Sequence, residues 1–118
     1  MAAAARTVPM GTFNIGDDAT YVSLGDASSN RVCTHVVQAL GTWTGTLIFQ
    51  GTLGTPGTGT YVTVGYVTPD DPGTVTTAGT FTGNGVYRVQ ADGFSDVRIK
   101  VSIEGTGTPV FLHRPLFG

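Results

Sequence analysis

Between Asp96 and Glu104 the chain alternates without a fault. Val97, Ile99, Val101 and Ile103 stand between Arg98, Lys100 and Ser102. A period of two sends the aliphatic set to one face of a strand and the polar set to the other, so this stretch predicts a sheet packed on one side. The run Val86–Ala91 repeats the pattern, with Tyr87 and Val89 on one side and Arg88 and Gln90 on the other. Six further strand-length runs precede or follow these: 20–24, 31–40, 46–50, 61–67, 74–81 and 110–112. Between them lie residues that bend a backbone. Pro69-Asp70-Asp71-Pro72-Gly73 reads as a turn and Asn84-Gly85 as a tight hairpin. Asp92-Gly93 reads as another turn, and Gly51–Gly59 as a Gly/Thr/Pro loop.

Regularly spaced short strands with turn signals predict an all-β fold, a single antiparallel sandwich of about eight strands, jelly-roll or immunoglobulin-like. The expected core is Val32, Val36, Leu47, Phe49, Val62, Val64, Val89, Val97, Ile99, Val101 and Ile103. Residues 1–19 differ from the rest. Pro9, Gly11 and Gly16 interrupt any long element, while Val8, Met10, Phe13 and Ile15 are apolar. They predict an extended arm whose anchors rest on the chain's own sheet or on a neighbouring subunit, leaving residues 20–118 as the sandwich domain. The end of the chain, through Leu116 and Phe117, reads as a second apolar contact.

Composition sharpens the functional side. Of 118 residues only 12% are charged, and the net charge is −2. That is about half the usual charged fraction. It offers no electrostatic footprint for nucleic-acid phosphates and little protection against association. No run approaches membrane-spanning length. The start, Met1–Arg6, lacks the basic and long apolar regions of a signal peptide, so the expectation is a chain made and folded in a cytoplasm.

Reaction chemistry is scarce. His35 and His113 are the two histidines and Cys33 the one cysteine, so no intrachain disulfide can form. Cys33 and His35 share a strand face. A closed zinc site would need His113 and a carboxylate to join them, and two strand residues packed or hydrogen-bonded at an interface are the simpler reading. Asp17-Asp18 and Asp70-Asp71 are neighbours in turns, where carboxylates splay and cap backbone amides rather than face across a cleft. The segment Gly54–Gly59 lacks the lysine and following helix of a phosphate-binding loop. The expectation is therefore no catalytic site, no metal and no cofactor. An aromatic sugar platform of Trp43, Tyr61, Tyr66 and Tyr87 stands as an alternative, set against a core or interface tryptophan.

Four segments carry a resemblance: Gly41-Thr42-Trp43-Thr44-Gly45-Thr46-Leu47-Ile48-Phe49-Gln50-Gly51-Thr52, then Tyr61-Val62-Thr63-Val64, Gly85–Gly93 and Val97-Arg98-Ile99-Lys100-Val101. In this order they resemble small β-sandwich virion proteins of tailed bacteriophages, over residues 34–114. The loop at Gly51–Gly59 is longer than in that group, and the N-terminal arm lies outside the resemblance. The resemblance implies a non-enzymatic virion structural protein assembled in a bacterial cytoplasm. Its expected station is capsid decoration or cement, binding the major capsid protein as a homo-oligomer, often a trimer in that group. A tail, neck, baseplate or fibre module is the alternative, and a carbohydrate-binding module a further one. The expected partner contacts are Val8, Met10, Phe13, Ile15, Trp43, Leu116 and Phe117.

Overall fold

A computed structural model of the chain describes residues 6–8, 21–26, 32–55, 58–90 and 94–117. These form eleven strands: β1 (Arg6–Val8), β2 (Tyr21–Asp26), β3 (Val32–Leu40), β4 (Thr46–Thr52), β5 (Val62–Thr63), β6 (Tyr66–Thr68), β7 (Asp71–Thr76), β8 (Thr80–Phe81), β9 (Gly85–Gln90), β10 (Asp96–Ile103) and β11 (Val110–Phe117). Six make one sheet in the order β1-β11-β3-β9-β6-β7. The other five make the second, β2-β10-β4-β5, with β8 also on β4. Every pairing is antiparallel.

The pairings nest. β1 joins β11, β2 joins β10, β3 joins β9 and β4 joins β8. The chain is thus one long hairpin rolled up so that β1 to β4, and again β8 to β11, alternate between the sheets, the topology of a jelly roll. The β6–β7 ribbon is an addition near the hairpin's tip that widens the larger sheet beyond β9.

The core lies between the sheets. From β4, β9 and β10 it takes Leu47, Phe49, Tyr87, Val89, Val97, Ile99 and Val101, on the faces their alternation predicts. Phe49, Tyr66, Phe81 and Tyr87 form an aromatic centre. Phe81 stacks on Phe49 at 4.8 Å and Tyr87 meets Tyr66 edge-on at 5.0 Å. Such offset and edge contacts suit the ring quadrupoles.

Three expected core residues lie elsewhere. On β3 the inner face is His35, Val37 and Ala39, so Val36 points outward. Consecutive valines hide the strand's phase, and a buried histidine inverts the expected one. Val62 is 53% exposed because β5 is a two-residue edge strand, and Val64 takes the inner position. Ile103 is 62% exposed where the register with β4 shifts at the end of β10. The side chain of Val32 lies outside the described residues.

Several boundaries also move. The run 61–67 divides into β5 and β6, in different sheets, and 74–81 divides into β7 and β8. Both crossings pass the backbone of Phe49, whose amide donates to Gly79 and whose carbonyl accepts from Val64. Asn84-Gly85 is a passage between sheets, not a hairpin, since β8 and β9 belong to different ones. Pro72 and Gly73 lie within β7, an edge strand, where a proline need not donate. The last strand runs on to Phe117 rather than ending at Leu112.

Candidate interaction surface

The expected contact residues fall in different places. Val8 pairs with Phe111 at the edge of the six-stranded sheet, so this part of the arm rests on the chain's own fold. Met10, Phe13 and Ile15 lie outside the described residues. Leu116 and Phe117 are strand positions opposite Thr34 and Val32. Trp43 is half-buried. Its ring meets Phe81 edge-on at 6.1 Å and its indole N–H donates to Asn84 Oδ1 at 2.8 Å. The Asn84 amide in turn donates to the Gly41 carbonyl at 2.8 Å.

No sugar platform forms. Tyr66 and Tyr87 are buried in the aromatic centre with Trp43 packed against it. Tyr61 lies over Arg98, 3.6 Å from ring centroid to guanidinium carbon.

The two histidines do meet. His35 Nδ1 and His113 Nε2 are 2.5 Å apart, and both rings are buried. Pro115 is the residue directly opposite His35, which places His113 on the diagonal. In such a pair one ring donates and the other accepts. Among the described residues no three His, Cys, Asp or Glu side chains gather as metal ligands would.

The outer faces of the two sheets differ. On the five-stranded sheet the polar groups engage one another. Arg98 Nε donates to Gln50 Oε1 at 3.0 Å, and Tyr61 donates to Asp96 Oδ2 at 2.5 Å. Ser95 Oγ donates to the carbonyls of Thr52 and Gly54. On the six-stranded sheet a single row crosses four strands: Arg114 of β11, Val36 of β3, Arg88 of β9 and Val67 of β6. Arg88 and Arg114 are exposed, and neither has an acidic partner among the described residues. A groove of about 350 Å³ lies along this row, lined by Val36, Gln38, Val86, Arg88, Leu112, His113 and Arg114. Arginines flanking aliphatic side chains match the composition of protein–protein contacts better than that of a reaction site.

This face escaped the sequence reading because it depends on register. Arg114 and Arg88 are 26 positions apart and become neighbours only through β3. A second apolar exposure was also missed: Leu53, 76% exposed, and Val62 line a depression beside the Gly-rich loop.

No family model matches the chain, and no curated protein matches it. Among solved structures, the SPBc2 prophage-derived protein YomS is similar in fold. Its TM-score is 0.65 at 11% identity, over 95% of this chain and 90% of that one. At that identity the likeness establishes a shared architecture.

Proposed function

We propose that the protein is a non-enzymatic structural component of a bacteriophage particle, and within it a decoration or cement protein on the outer capsid shell. The observation that carries this reading is the likeness in fold, over nearly the whole chain, to a protein described as prophage-derived. The low charge and the arginine-flanked aliphatic face support a role in protein contact.

In this reading the sandwich sits on the shell as an oligomer. The arm is fastened at Val8 to the sheet edge. Met10, Phe13 and Ile15 carry the contact to the major capsid protein. Many modest contacts then sum to a shell that resists internal pressure.

Two measurements test the proposal. Quantitative mass spectrometry of purified particles should find copies on the order of hundreds, as capsid symmetry demands. A few tens would move the module to the tail, neck or baseplate, and absence from particles would end the virion reading. Replacing Met10, Phe13 and Ile15 together by serine should release the protein from shells while the sandwich stays folded. Full retention would remove the arm from the contact.

A further inference from the structure

Among the described residues, the sandwich interior holds two bases, His35 and His113, the chain's two histidines. They are 2% and 1% exposed and lie on the adjacent strands β3 and β11. His35 Nδ1 meets His113 Nε2 at 2.5 Å, and the ring centroids are 4.7 Å apart.

The described side chains around the pair supply no anion. In register, Val89 of β9 is opposite His35 and Val37 opposite His113. From the other sheet, β10 turns Val97, Ile99 and Val101 into the core. Tyr87 of β9 is a phenol whose value burial raises, so it is neutral in neutral and acid solution. Arg88 and Arg114 are exposed on the outer face, and Arg6 of β1, opposite His113 in register, is likewise a base. Asp96 is buried, but its carboxylate accepts from Tyr61 and shares its side of β10 with Arg98, away from Val97 and Ile99. The side chains of Cys33 on β3 and Asp26 on β2 lie outside the described residues.

A hydrogen bond between two imidazole nitrogens holds one proton, which one nitrogen donates and the other accepts. The neutral pair satisfies this. A pair with one extra proton does so too, at the cost of a charge in an aliphatic interior. Two extra protons do not fit. N–H would then face N–H at 2.5 Å, and two cations would stand 4.7 Å apart. The unfolded chain has no such limit, and both of its histidines take a proton near the ordinary value of about 6.5.

We propose that this pair is a proton-sensitive fastener, which holds β11 on β3 in neutral solution and lets the sandwich open in mild acid. Below about pH 6.5 the unfolded chain binds more protons than the folded one, so stability is complete above that value and falls as pH drops through it. Each excluded proton multiplies the unfolding constant by up to about tenfold per pH unit. Position gives the effect its reach. β3 lies in the first half of the chain and β11 at its end, so opening this seam undoes the pairing that closes the roll.

Urea unfolding of the purified full-length chain between pH 7 and pH 5 tests this apart from the virion reading. The unfolding constant in water should rise at least about tenfold over that range. The double variant His35→Phe with His113→Leu removes both bases and keeps the site apolar, and its constant should rise less than about threefold. Should that variant fail to fold, nitrogen-15 NMR of the wild-type rings decides, because it distinguishes neutral from protonated imidazole. The folded chain should keep at least one neutral ring down to the pH at which it unfolds. Two imidazolium rings in the folded chain, a wild-type rise of less than about tenfold, or a double variant as acid-sensitive as the wild type would overturn the proposal.

Discussion

Tyr87 illustrates how one side chain serves two environments. Its ring belongs to the aromatic centre while its hydroxyl donates to the Gly83 carbonyl at 2.5 Å. Burial, with a smaller contribution from Tyr66 beside it, raises the phenol above its ordinary value. The unfolded chain therefore releases this proton at lower pH than the folded one. The stability due to the neutral phenol is complete below the usual tyrosine value of about 10 and is lost as pH rises through the folded value. Tyr87→Phe should cost about 1 kcal/mol at neutral pH, through the lost hydrogen bond. It should also flatten the alkaline fall in stability. Urea titrations across the alkaline range should reveal both effects, and an unchanged alkaline limb in the variant would place the titration elsewhere. The histidine pair is the residue-scale feature that was half legible. Sequence read Cys33 and His35 as packed or hydrogen-bonded strand residues and brought in His113 only as a further ligand of a zinc site, because the approach of the two histidines depends on the register of β11 against β3.

At the scale of elements, the fold turns on its crossings between sheets. The passage from β3 to β4 and the passage from β10 to β11 lie against each other. Thr44 N–H donates to the Thr106 carbonyl at 2.8 Å, their hydroxyls are 2.9 Å apart, and Trp43 bridges Gly107. Gly107 has a φ of +92°, and a β-carbon there would collide with the Thr42 carbonyl and with Trp43 Cα at 2.8 Å. Gly107→Ala should therefore cost about 2 kcal/mol or more and lower the melting temperature by roughly 10 °C. Gly73→Ala is the control. Nothing lies within 4 Å of its position, and the temperature should hardly move. Thermal unfolding of both variants checks the difference, and equal melting temperatures would show that the corner yields. These crossings explain why two predicted strands proved to be four. In 61–67 and 74–81 the strand composition is continuous, while the change of sheet rests on contacts with β4.

For the molecule as a whole, the nested pairings tie the two ends of the chain together. β11 lies between β1 and β3, and β10 lies between β2 and β4. No early segment can complete a sheet before late strands arrive, so folding waits on long-range closure. Removing residues 110–118 should therefore unfold the entire domain rather than fray one edge, because β3 loses one of its two neighbours and the core loses the buried Phe111 and His113. Circular dichroism and denaturant titration of the truncated chain decide this. A cooperative transition with most strand signal retained would contradict the rolled-hairpin account.

Sequence by itself determined the all-β class, the single sandwich and the inward faces of β4, β9 and β10. On β10, and on β9 from Tyr87 onward, apolar and polar residues alternate and the pleat converts alternation directly into inside and outside, while on β4 Leu47 and Phe49 flank an equally apolar Ile48. Tertiary structure alone decided the jelly-roll order, the inner face of β3, the meeting of His35 with His113 and the row from Arg114 to Val67. Each of these depends on which strand lies beside which, and in what register. Hydrogen bonding between strands is the same for any sequence, so that choice falls to long-range packing.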